Sequence, residues 1–178
     1  MLMPKQYQWL NNIKEPPRIL TEAMRAMGVH EKLGRGSNPT IMQWAKRTGM
    51  GNVYTDDSIP WCGLFMAYAV MQAGFDAPVN PLWARNWLTF GRDASGDASL
   101  GDVLVFTRGK SGHVGIYVGE DRDCYHVLGG NQSDSVMIKR IAKARCIGHR
   151  RCKWRINQPA GVKPIHLPPS GKISTNEA

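Results

Sequence analysis

No apolar run in the 178 residues approaches the ~20 that a membrane-spanning helix requires, so a helical span is excluded. Met1 to Lys14 lacks the apolar centre of a secretion signal, which predicts synthesis in the cytoplasm without an export route of its own. Cysteine is scarce: four residues, none in a CxxC pair. CIGHRRC does set His149 between Cys146 and Cys152, with Cys124 and His126 as further donors, but that spacing is not a zinc knuckle's. The expectation is buried, reduced thiols and no metal. Setting Cys62 aside leaves Cys124, Cys146 and Cys152, among which at most one internal bridge can form. Acid is missing altogether from Lys139 to Lys172, which holds ten Lys and Arg of a chain whose net charge is +9, so the remainder is close to neutral. Lys139, Arg140, Lys143, Arg145, Arg150, Arg151, Lys153 and Arg155 are candidates for contact with nucleic acid or an anionic envelope polymer. No aromatic-rich nucleic-acid motif accompanies them.

What is present suffices for one core. With 42% hydrophobic residues the chain reads as a single α+β domain over residues 19–156, preceded by an arm (1–18) and followed by a proline-rich, extended tail (157–178). Leu20, Ala23, Met24 and Met27 mark a first helix stopped by Gly28. Asn38-Pro39 cap and open a second, carrying Ile41, Trp44 and Ala45 on one face. Asn80-Pro81 precede a short helix holding Trp83 and Trp87, core or groove wall. The period then changes from helical to alternating. VLVF, VGIYV, CYHV and VMIKRI are four strand candidates separated by turns. Asp102 belongs to a turn on this reading, and His126 to a core or rim.

The organising stretch is DDSIPWCGLFMAYAVMQAG, residues 56–74. Cys62, Phe65, Met66, Ala69, Val70 and Ala73 fall on one helical face, with Pro60 and Trp61 at its opening. A cysteine in the first turn of a helix faces unpaired N–H groups and a partial positive charge, which favour the thiolate, the form that attacks carbonyl carbon. Two partners follow at strand edges. His113 opens VGIYV after the turn RGKSG, and Asn131 follows CYHVL and a Gly-Gly pair. Cysteine as nucleophile, histidine as base and asparagine as the group that orients the base form a working triad of the papain type.

IPWCGLF, GDVLVFTRG, GHVGIYVGE and VLGGNQSD, in that order over roughly residues 20–150, resemble the successive motifs of CHAP-type cysteine peptidases and amidases in the NlpC-like branch of the papain-like superfamily. The likeness is closest to a subgroup found in phages and bacterial genomes. It implies a papain-like α+β fold with N-terminal helices on a small antiparallel sheet, cleavage of amide bonds in peptidoglycan stem peptides, and no metal or organic cofactor. Cys62, His113 and Asn131 match the nucleophile, base and orienting residue. Many CHAP domains carry a glutamate two residues before that asparagine; here the position is Gly129, so no role for that acid transfers. The expectation is a wall-degrading hydrolase such as a phage endolysin, reaching the periplasm or wall after release. An antibacterial effector and a non-catalytic basic binding module are the alternatives.

Overall fold

The computed structural model describes residues 3–155 and 157–177. The domain boundary expected at residue 156 therefore lies outside the described residues. Three α-helices come first: α1 (Arg18–Arg25), α2 (Pro39–Arg47) and α3 (Cys62–Gln72). Asn38 caps α2 as the sequence predicts, its Oδ1 accepting the Thr40 N–H at 2.8 Å with proline at the first helical position. Between Cys62 and Val70 every residue of α3 except Tyr68 is buried. A helix apolar on all sides belongs inside a domain, and α1 and α2 cover α3 on one side while strands cover the other.

Seven strands follow: β1 (Arg92–Asp93), β2 (Val103–Arg108), β3 (Ser111–Glu120), β4 (Cys124–Gly129), β5 (Met137–Ala142), β6 (Cys146–Arg151) and β7 (Ile173–Ser174). They form one sheet in the order β1-β6-β2-β3-β4-β5-β7, antiparallel except for the parallel pair β5–β7. The molecule is thus α+β, with a mixed sheet where a small antiparallel one was expected. Alternation along the strands sorts the apolar side chains onto two faces. Val103, Val105, Val114, Ile116 and Val118 join the helices in the main core, and Leu104, Phe106, Tyr117 and Tyr125 build a smaller cluster behind.

The two ends differ from their sequence reading. In the arm, a 3-10 helix (Lys5–Asn12) buries Tyr7 and Leu10. The tail is extended but anchored: Ile165 and Leu167 exchange backbone hydrogen bonds with Glu120 at 2.8 Å each, and β7 extends the sheet. Glu177 beyond it is fully buried.

The cationic run is also largely used up internally. Arg140 pairs with Asp121, Lys143 with Glu120, Arg145 with Glu177, Arg150 with Asp93 and Arg151 with Asp102. Acids far away in sequence fold back onto it, which composition cannot reveal. Of the eight cations, Lys139, Lys153 and Arg155 form no ion pair among the described residues, and only the last two are exposed. All four cysteines are free. Among the described residues no cluster of three His, Cys, Asp or Glu could hold a metal ion.

Candidate active site

Cys62 is the first residue of α3, with Trp61 as its cap. Backbone packing fixes where that helix begins. A Cβ on Gly63 would lie 2.2 Å from the Pro81 carbonyl oxygen and 2.7 Å from that of Leu82, so only glycine lets the first turn sit this close to the 81–82 segment. On the entering side, Trp61 Nε1 donates to Glu31 at 2.6 Å. Buried Asp57 accepts the N–H groups of Lys32 and Asn38 at 2.9 and 2.7 Å. Asp57 thus ties two loops together, and Asp56 accepts the N–H of Ser58.

The N–H groups of Val114 and Gly63 approach the Cys62 sulfur. Val114 follows His113 directly, and a strand N–H lies in the plane of its sheet. The sulfur therefore sits at the end of the sheet, where β4 has stopped at Gly129, and beside the strand that carries the imidazole. His113 is wholly buried, and its Nδ1 has no hydrogen-bond partner among the described residues.

The other ring nitrogen is held by Gln132, not by Asn131 as the sequence suggested. His113 Nε2 lies 3.1 Å from Gln132 Oε1. The amide orientation follows from its own contacts: Gln132 Nε2 donates to the carbonyls of Val127 and Met137 at 3.0 and 2.5 Å, which leaves Oε1 facing the ring. An acceptor at Nε2 requires the proton there. Nδ1 is then the bare lone pair, free to accept a proton. Asn131 is buried with φ 53°, the left-handed region that asparagine tolerates better than most residues. That turn puts the residue after it, not Asn131 itself, against the ring. Gly129 belongs to the same arrangement. A Cβ there would stand 3.2 Å from His113 Nε2 and 3.1 Å from Gln132 Cδ, so an acidic side chain at this position would crowd the amide that takes its place.

Burial dominates the electrostatics. It pushes the Cys62 thiol above its ordinary value, against the opposing pull of the Arg108 charge and the Val114 and Gly63 N–H groups. The sequence reading of a thiol lowered by the helix N-terminus is corrected here: desolvation outweighs the helix field when the sulfur is this deeply enclosed. Burial likewise pushes His113 down to about 4, with Glu177 working in the opposite direction. Burial thus favours the neutral form of each group, a thiol at Cys62 and an imidazole at His113.

Cys62, only 3% exposed, also lines a groove of about 550 Å³. Pro60, Leu82 and Trp83 supply apolar wall, Trp83 standing 69% exposed, whereas Trp87 is packed in the core. Arg85, Arg108 and Lys110 supply charge.

Glu177 and Arg145 back the site. Arg145 makes two contacts with the Glu177 carboxylate at 2.7 and 2.8 Å and donates to the carbonyls of Thr107 and Ser174, while the Ser133 N–H donates to the Glu177 carbonyl at 2.7 Å. This clamps the Gln132 loop to the tail. Nothing local in the sequence marks Glu177 or Arg108, since both act through contacts that only the fold creates. Gln132 stood beside the residue chosen and was separable from it only by backbone geometry. No protein-family model matches the chain, and no curated protein matches it significantly.

Proposed function

We propose that the protein is a cysteine-dependent amidohydrolase with a papain-like fold of the NlpC/CHAP type, cleaving amide bonds in the peptide stems of bacterial cell wall, as phage endolysins and antibacterial effectors do. The observation that carries this reading is the Gln132–His113 contact. It supports the Nε2–H tautomer of the imidazole, with Nδ1 unpartnered among the described residues, on the strand whose Val114 N–H approaches the Cys62 sulfur.

The resting pair is neutral, so the thiol is activated at the moment of attack. Cys62 turns toward Nδ1, His113 takes its proton, and sulfur adds to the scissile carbonyl carbon. The oxyanion meets the backbone N–H of Cys62 at the start of α3. The imidazolium, stabilised by Gln132 and by Glu177 behind it, returns the proton to the leaving amine. Water then cleaves the thioester by the same route in reverse. No metal or organic cofactor enters these steps. The internal pairing of the basic run favours an enzyme over a module whose purpose is electrostatic attachment.

The test is clearing of purified sacculi, followed by mass spectrometry of the released muropeptides. New amine termini produced by the wild type and absent with a folded Cys62→Ala protein are the expected result. Undiminished clearing by Cys62→Ala overturns the assignment.

A further inference from the structure

The groove is one-sided in charge. Among the described residues lining it are Arg85, Arg108 and Lys110, and no aspartate or glutamate. Arg85 is engaged, its Nε donating to the Ser111 carbonyl at 3.1 Å. Arg108 is not: its Nη1 is buried and has no hydrogen-bond partner among the described residues. An enclosed guanidinium nitrogen without an acceptor is costly, and in a groove beside Cys62 a ligand is one partner that can complete it. Its position is specific. Arg108 ends β2, opposite Ser111 across the β2–β3 turn, and its charge reaches both the Cys62 sulfur and the His113 ring. The backbone just before it is braced, because the Thr107 carbonyl accepts two hydrogen bonds from Arg145, at 3.1 and 2.8 Å.

We propose that Arg108 is a specificity residue that pairs with a free carboxylate on the substrate next to the scissile amide, so that the enzyme takes acidic peptides and discriminates against the same peptides with that carboxylate amidated. The inference rests on Cys62 as the nucleophile, since that places the scissile carbonyl at the Cys62 end of the groove. A carboxylate offers two acceptor oxygens to the planar guanidinium fork. A carboxamide offers one, and sets its own N–H₂ donors against those of arginine. Such a mismatch in an enclosed site costs about 10- to 100-fold in selectivity. Trp83, Leu82 and Pro60 on the apolar wall take the uncharged parts of the chain.

The experiment uses two synthetic muropeptides identical except that one stem carboxylate beside the cleaved bond is a carboxamide. Cleavage by the full-length wild type is measured on both, and binding of both to Cys62→Ala by calorimetry. The expected result is about 10- to 100-fold higher kcat/KM and tighter binding for the acid form. Arg108→Gln should lose that preference to within about twofold, mostly through KM, and Arg108→Lys, which keeps the charge without the fork, should retain part of it. Equal Cys62-dependent cleavage of both peptides overturns the Arg108 inference and leaves the hydrolase reading intact, as does a preference that survives in Arg108→Gln. Acid-selective binding that Arg108→Gln abolishes, without cleavage of either peptide, keeps the carboxylate pairing but sinks the hydrolase, and with it the specificity role. Neither binding nor cleavage overturns both.

Discussion

Two histidines, His113 on β3 and His126 on β4, are both completely buried, and burial lowers the pKa of both. Their surroundings give them opposite uses. Both ring nitrogens of His126 are occupied: Nδ1 lies 2.7 Å from the Tyr7 hydroxyl and Nε2 2.9 Å from Asp121, whose carboxylate also accepts from Arg140 Nε at 2.7 Å. Although burial raises the Asp121 pKa, the bonds from Arg140, from backbone N–H groups and from His126 outweigh it, and the group stays ionised well below the usual carboxylate range. This saturated network fastens the N-terminal arm to the sheet. His113 has one nitrogen on a neutral amide and the other without a hydrogen-bond partner among the described residues. A base needs an unspent lone pair, and of these two rings His113 is the one that keeps it. Two imidazoles on neighbouring strands thus divide into a brace and, on the proposed reading, a reagent, according to how many partners each is given.

The sharpest way to break this comparison is to remove each ring in turn. His113→Ala should lower kcat for wall cleavage by about 10²- to 10⁴-fold with the fold retained, whereas His126→Ala, where it folds, should keep activity within about tenfold. A reversal of that order would exchange the two roles. Next in size is Asp121→Ala, which strands Arg140 and His126 in the interior. Chemical denaturation should show a loss of about 3–5 kcal/mol, accompanied by release of the arm from the sheet. A smaller effect separates the two neighbours in the loop. Gln132→Ala frees the ring to rotate and to change tautomer, for an expected 10- to 100-fold fall in kcat, while Asn131→Gly accepts the left-handed backbone and should leave kcat within about threefold. If Asn131→Gly proves the more damaging, the orienting role returns to Asn131.

A separate effect, confined to a narrow pH window, is on acid stability. His113 titrates near 4 when folded against an ordinary 6.5, so the unfolded chain binds more protons than the folded one between those values. Its contribution to stability is complete above about pH 6.5 and is lost as the pH falls toward 4. The unfolding free energy of His113→Gln, measured across that window, should therefore depend less steeply on pH than that of the wild type.

Most of what positions Cys62 was legible in the sequence because it is local. The apolar stripe of α3, the Asn38-Pro39 cap of α2 and the alternation in β2 to β5 are each encoded within a few residues. β6 escaped because CIGHRR has little apolar alternation, and its strand state comes from the ladder with β2, interrupted by a bulge at Val105/Phe106. That Gln132 and not Asn131 meets the His113 ring follows from the left-handed backbone at Asn131, which composition does not encode. The expected thiolate failed for a related reason: a helix start favours the anion, but depth of enclosure depends on what tertiary packing lays over it.

That enclosure has a chemical consequence outside the reaction itself. Peroxide and other oxidants consume thiolates far faster than thiols, and each successive oxidation moves a cysteine further from recovery. On the proposed mechanism, a sulfur that stays protonated until His113 takes its proton would offer such reagents little to attack. Cys62 would then keep its electron pair unspent in an aerated medium until a peptide occupied the groove it lines.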